Sequence, residues 1–133
     1  MANPNIVNVT SIYGNSAYVI PSNTSVSVAW TYNGSTSLTG LTPSANTVNR
    51  VTSIVVANVT SSAATCTVAI SNNATYASGT PYYIAYQVSV PPNASVIVTD
   101  KTSSFYVTEN QSVGVISGTG SALNYSATFE AIT

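Results

Sequence analysis

From Leu123 to Ala131 apolar and polar side chains alternate without a break, with Leu123, Tyr125, Ala127, Phe129 and Ala131 set against Asn124, Ser126, Thr128 and Glu130. A period of two places the first set on one face of an extended chain and the second on the other, the pattern of a half-buried β-strand. The same alternation recurs along the sequence, and the i, i+3, i+4 spacing of an amphipathic helix never persists. Val, Ile, Thr and Tyr dominate while Leu is scarce, which favours strands. Candidate strands are Ile6–Tyr13, Ala17–Ile20, Ser25–Tyr32, Val48–Val59, Thr65–Ser71, Tyr82–Val90, Ser95–Asp100, Ser104–Thr108, Ser112–Ser117 and Leu123–Ile132. Short strands separated by turn residues at roughly 8–12-residue intervals predict an all-β fold. An antiparallel barrel and a sandwich both stay open, and the expected architecture is the antiparallel β-sandwich, jelly-roll or immunoglobulin-like, with little or no helix. A chain of 133 residues suits one such domain, 1–133.

The stretch Tyr82–Val98 looks central to this arrangement. Ile84, Tyr86, Val88 and Val90 share one parity and Tyr83, Ala85, Gln87 and Ser89 the other, and a second β-rich run follows Pro91-Pro92-Asn93. Proline lacks the backbone donor a central strand needs, so the pair marks a change of direction. In Ser25–Tyr32, Trp30 falls with the apolar set, as a core or interface anchor. Asn33–Asn46 reads as a loop, with Leu38 and Leu41 as tether points. Gly118-Thr119-Gly120-Ser121 lacks the lysine and following helix of a phosphate loop, and reads as a hairpin turn.

Charge is the compositional anomaly. Arg50, Lys101, Asp100, Glu109 and Glu130 are only 4% of the chain, with a net charge of −1, against about 25% in ordinary globular proteins. Two cations cannot neutralise a useful run of phosphates, so no nucleic acid partner is expected. No run approaches the ~20 apolar residues that span a bilayer, so no membrane is expected either. The opening Met-Ala-Asn-Pro-Asn has no basic segment followed by an apolar one, so no secretory signal is read here and the expectation is a chain made in the cytoplasm or already processed. Cys66 is the only cysteine. It alternates in phase with Val68 and Ile70 and reads as a small buried hydrophobe.

Catalytic constellations are largely excluded. With no histidine, Ser-His-Asp and Cys-His arrangements and imidazole metal sites cannot form. Asp100-Lys101 reads as a turn with a local ion pair rather than a catalytic couple. The expectation is a non-enzyme with no cofactor and no metal. Asn-x-Ser/Thr triplets occur at Asn8, Asn23, Asn33, Asn58, Asn73, Asn93, Asn110 and Asn124, but 40 Ser and Thr residues generate such triplets by composition alone.

Open sheets leave unpaired N–H and C=O groups at their edges, which monomeric proteins guard with charges. This chain has few to spend, so neighbouring subunits are expected to cover the edges. The opening Met-Ala-Asn-Pro-Asn-Ile-Val-Asn-Val-Thr-Ser-Ile-Tyr13 resembles the start of small virion structural proteins of tailed bacteriophages, of cyanophages and other marine phages especially. Similar segments follow at Ser53–Val59, Tyr83–Ala85, Val88–Pro91, Ala94–Lys101, Phe105–Glu109 and Phe129–Ile132.

The resemblance implies a particle component located in the virion. It would be a capsid decoration or cement protein that contacts the major capsid protein or other virion proteins, as a homo-oligomer such as a trimer. The alternative is a glycan- or host-recognition module of a tail fibre or head appendage, or a subunit of an extracellular filament. Residues 1–9 read equally as an extended arm on a neighbour or as an ordinary first strand. Candidate contact residues are Asn3, Pro4 and Ile6 in that segment, Trp30 and the tyrosines Tyr13, Tyr18 and Tyr32, and Leu38 and Leu41 in the loop.

Overall fold

Two antiparallel sheets curl toward each other into a half-barrel, in a computed structural model that describes residues 8–32 and 36–133. The strands are β1 (Ile12–Val19), β2 (Ala29–Tyr32), β3 (Thr36–Thr39), β4 (Val48–Asn58), β5 (Ala64–Ser71), β6 (Pro81–Val90), β7 (Ser95–Thr99), β8 (Phe105–Val107), β9 (Ser112–Ser117) and β10 (Leu123–Ile132). The larger sheet runs β3-β2-β1-β10-β4-β7, with β8 also paired to β4, and the smaller runs β6-β5-β9. Single 3-10 turns occur at Tyr76–Ser78 and Lys101–Ser103, and no α-helix is present among the described residues.

β10 carries its alternation into the structure. Leu123, Tyr125, Ala127 and Phe129 are buried while Ser126 and Thr128 are exposed. It lies between β1 and β4, pairing Ala17 with Ala127 on one side and Val56 with Tyr125 on the other. Trp30 is wholly buried and donates its indole N–H to the Val113 carbonyl at 3.2 Å, joining the larger sheet to β9. Tyr125 donates its phenol to the Ile116 carbonyl in the same direction. These two bonds satisfy the polar atoms of two large core aromatics that bridge the sheets.

Four expectations are corrected by backbone pairing. A single β1 replaces the first two predicted strands and passes straight through Gly14-Asn15, because Gly14 pairs with Glu130 and Asn15 with Phe129. Within the predicted loop Asn33–Asn46, residues Thr36–Thr39 pair with β2 as β3. The Gly118–Ser121 segment is no hairpin turn: it carries the chain from β9 in the smaller sheet to β10 in the larger.

The fourth correction concerns Tyr82–Val90, which is an edge strand rather than a central one. Two register shifts against β5 break its parity, so that Cys66 faces Val88, Val68 faces Ala85 and Ala69 faces Tyr83. Tyr86 and Gln87 thus share one opposing residue, Gln87 adopts φ 50°, and its N–H goes to the Thr67 hydroxyl at 3.0 Å. Such bulges bend an edge and spoil its ladder. Pro91-Pro92-Asn93 does turn the chain as expected, delivering it from β6 to β7 in the other sheet.

The far margin of the smaller sheet is closed by the chain itself. Ser27 and Val115 exchange backbone bonds of 2.9 and 3.0 Å, and Val113 N–H reaches the Gly40 carbonyl at 2.7 Å. Gly40 has φ 64°, and a Cβ there would lie 2.6 Å from Ser112 Cβ, so a side chain would obstruct the approach.

At the opposite end of the molecule, buried Asn58 uses its whole amide. Nδ2 donates to Ser62 O and Val90 O, while Oδ1 accepts from the Thr60 N–H and hydroxyl. Replacing Asn58 with Ala strands these groups, so urea unfolding of N58A is expected to show a loss of about 2–4 kcal/mol.

Candidate functional site

Two surfaces stand out once the core is accounted for. The first lies along β6, which contains no charged residue. Tyr82 and Tyr86 are each 60% exposed, and Tyr83, Ile84 and Val88 are exposed beside them. Tyr83 and Tyr86 meet edge to face at 4.7 Å. Contiguous apolar area of this kind marks an interaction surface more often than a solvated face. The bulges decide what sort of contact it makes. Gln87 is turned into the left-handed region and two bulges distort the ladder with β5, so the strand offers a partner an irregular backbone edge and a row of exposed side chains.

The second surface is a groove of about 470 Å³ on the core-facing side of the larger sheet. Tyr13, Asn15 and Ala17 share a parity on β1, opposite Ala131, Phe129 and Ala127 of β10. Ala17 and Ala127 are buried in the core, but no residue of the three-stranded sheet reaches the Tyr13 end. Tyr32, tilted at 53° against Phe129 with ring centres 6.4 Å apart, forms one wall, and Leu38 completes the apolar lining. Tyr13, 64% exposed, stands at the rim.

Polar groups enter from β4 and the loop before it. Asn49 is 2% exposed, and its Nδ2 donates to the Leu41 carbonyl at 2.8 Å. That bond holds the amide in place and leaves Oδ1 without a partner among the described residues. Leu41 itself sits at φ 54° with its side chain fully buried, a conformation sustained by that burial and by the Asn49 bond. Thr47, also buried, accepts from the Ser44 hydroxyl at 3.4 Å. None of the lining residues is Asp, Glu, Lys, Arg or His.

The candidate contact residues separate accordingly. Tyr13, Tyr32 and Leu38 come together in the groove. Trp30 and Leu41 are completely buried: of the two readings given for Trp30, core or interface anchor, the core one holds, and Leu41 serves the core rather than a contact surface. Tyr18 is exposed on the opposite face of β1 from Tyr13, away from the groove. Asn3, Pro4 and Ile6 lie outside the described residues, as does most of the 1–9 arm. Sequence reasoning missed Asn49, because an Asn inside a strand gives no sign of burial. Parity counted without bulges also could not show that the β6 tyrosines are all exposed.

Ionisable groups have structural partners. Asp100 does not hold Lys101 in the expected ion pair; its carboxylate caps the following 3-10 turn, accepting from the N–H and hydroxyl groups of Thr102 and Ser103. Those hydrogen bonds, with Thr102 foremost, hold its pKa below the usual value. Arg50 faces Glu130 across β4 and β10 at 3.9 Å and also donates to the Ser104 hydroxyl. Burial pushes the Cys66 thiol up. Among the described residues, no three His, Cys, Asp or Glu side chains cluster to hold a metal ion, and no helix is long and apolar enough to cross a membrane.

No family model, curated protein or solved structure matches the chain.

Two outcomes check these assignments. Cys66 should resist a neutral-pH thiol reagent in the native protein and react fully once urea unfolds it. Because the folded pKa of Asp100 is depressed, its contribution is complete above the unfolded value of about 3.9 and is lost as pH falls through the folded value. An acid titration followed by NMR should therefore show the Thr102 and Ser103 amides shifting together, with a midpoint below that of a model aspartate.

Proposed function

We propose that this protein is a non-enzymatic structural component of a phage virion, made in the host cytoplasm and serving as a decoration or cement protein on the capsid. The observation that carries the reading is the β6 surface: five large apolar residues exposed on one uncharged edge strand. Such a strip is costly to leave in water, at roughly 25 cal/mol per Å² of apolar surface that a partner would cover. The chain's few charges supply little repulsion between copies, which favours packing into an assembly. The sequence resemblance to small phage virion proteins points the same way.

On this reading, copies form a homo-oligomer, and β6 packs either between them or on the major capsid protein. The contact uses side chains, since a bulged edge is a poor template for sheet extension. Large aromatic side chains suit such a junction because they cover much area with little rotamer entropy to lose.

Sedimentation of the purified protein, alone and with undecorated shells, tests the proposal. The wild type should self-associate or co-sediment with shells. Ile84→Lys, which sets a charge on the edge at little cost to the core, should weaken that association by about tenfold or more. A stable monomer that ignores shells would overturn the assignment.

A further inference from the structure

We propose that the groove between Tyr13 and Tyr32 is a binding site for a neutral carbohydrate. This goes beyond the assembly role and uses a different part of the molecule: no residue of β6 lines the groove. Its volume of about 470 Å³ lies in the range of small-molecule sites, roughly 300–1,000 Å³.

The lining chemistry selects the ligand class. Without an acid or base on its walls, the groove offers no complement to a phosphate, a sulfated or sialylated glycan, or a charged peptide. A purely apolar ligand fits poorly as well, because it would cover the Asn49 Oδ1 without offering it a donor. A sugar ring presents both kinds of surface. Its C–H face packs on an aromatic ring, and its hydroxyls donate and accept at the rim.

The groove offers both in fixed positions. Tyr32 is braced by Phe129, Tyr13 stands free opposite Ala131, and the Asn15 amide is held near by its bond to the Tyr13 carbonyl at 3.2 Å. Asn49, locked through Leu41, presents an acceptor that needs no side-chain reordering when a hydroxyl arrives. Asn49 spends one of its four hydrogen-bonding positions on Leu41, and the rest of the amide, on the wall of an open groove, is what a ligand hydroxyl can take up.

The test uses the Ile84→Lys protein as well as wild type, so that loss of assembly and loss of sugar binding are read separately. An array of neutral and anionic oligosaccharides is followed by calorimetric titration of the neutral oligosaccharide that gives the strongest signal. Binding should be confined to neutral glycans and equal in the two proteins. Tyr13→Ala should weaken it by about tenfold with the melting temperature unchanged, since Tyr13 is largely exposed, while Tyr13→Phe should retain it. The proposal is overturned if no neutral glycan binds at millimolar concentration, if anionic glycans or peptides are preferred, or if Tyr13→Ala binds as wild type does.

Discussion

An antiparallel sheet must do something with the hydrogen-bonding groups along its margins, and this chain has almost no ionised side chains with which to do it. Its solution lies in the backbone. At β9 the margin is joined to Ser27 and Gly40, so the smaller sheet runs on into the larger one and the half-barrel closes along that seam. At β6 the margin is left open but misshapen by two bulges, with prolines at either end. In the smaller sheet one seam is sealed and the other is a poor template for a regular strand, and neither margin carries a lysine.

That arrangement has a consequence for the surface. A bulged edge still carries its side chains, and the residues displaced from regular alternation on β6 point tyrosine, isoleucine and valine into solvent. The device that prevents strand addition is therefore the device that creates an apolar strip. A component that packs against neighbours without polymerising through its backbone would gain from both properties at once, and the assembly role proposed above rests on that edge geometry more than on composition.

The groove arises from a second mismatch, in the number of strands. A sheet of seven strands faces one of three, so part of its concave side has no cover. Where cover exists, Trp30 and Tyr125 send hydrogen bonds across to β9. Where it ends, Tyr13, Tyr32 and Phe129 line an opening instead. Buried asparagines mark both ends of β4. Asn58 is fully used in holding the crossing to β5, while Asn49 makes a single hydrogen bond, and the binding site proposed above rests on that contrast.

Local alternation by itself determined the all-β class, the spans of β9 and β10, the burial of Cys66 and the turn at Pro91-Pro92, because each depends only on which face a side chain takes or on a missing donor. Trp30 could be assigned to the apolar side of its strand for the same reason, although whether that side met the core or a partner could not. Only the tertiary structure decided that Tyr82–Val90 is an edge, that β1 continues through Gly14-Asn15, and that Leu41 is core while Tyr13 and Tyr32 share a groove. Each of these depends on which strands become neighbours and in what register. A single bulge reverses the parity of every residue beyond it, and no count along the chain can locate the bulge before the pairing exists.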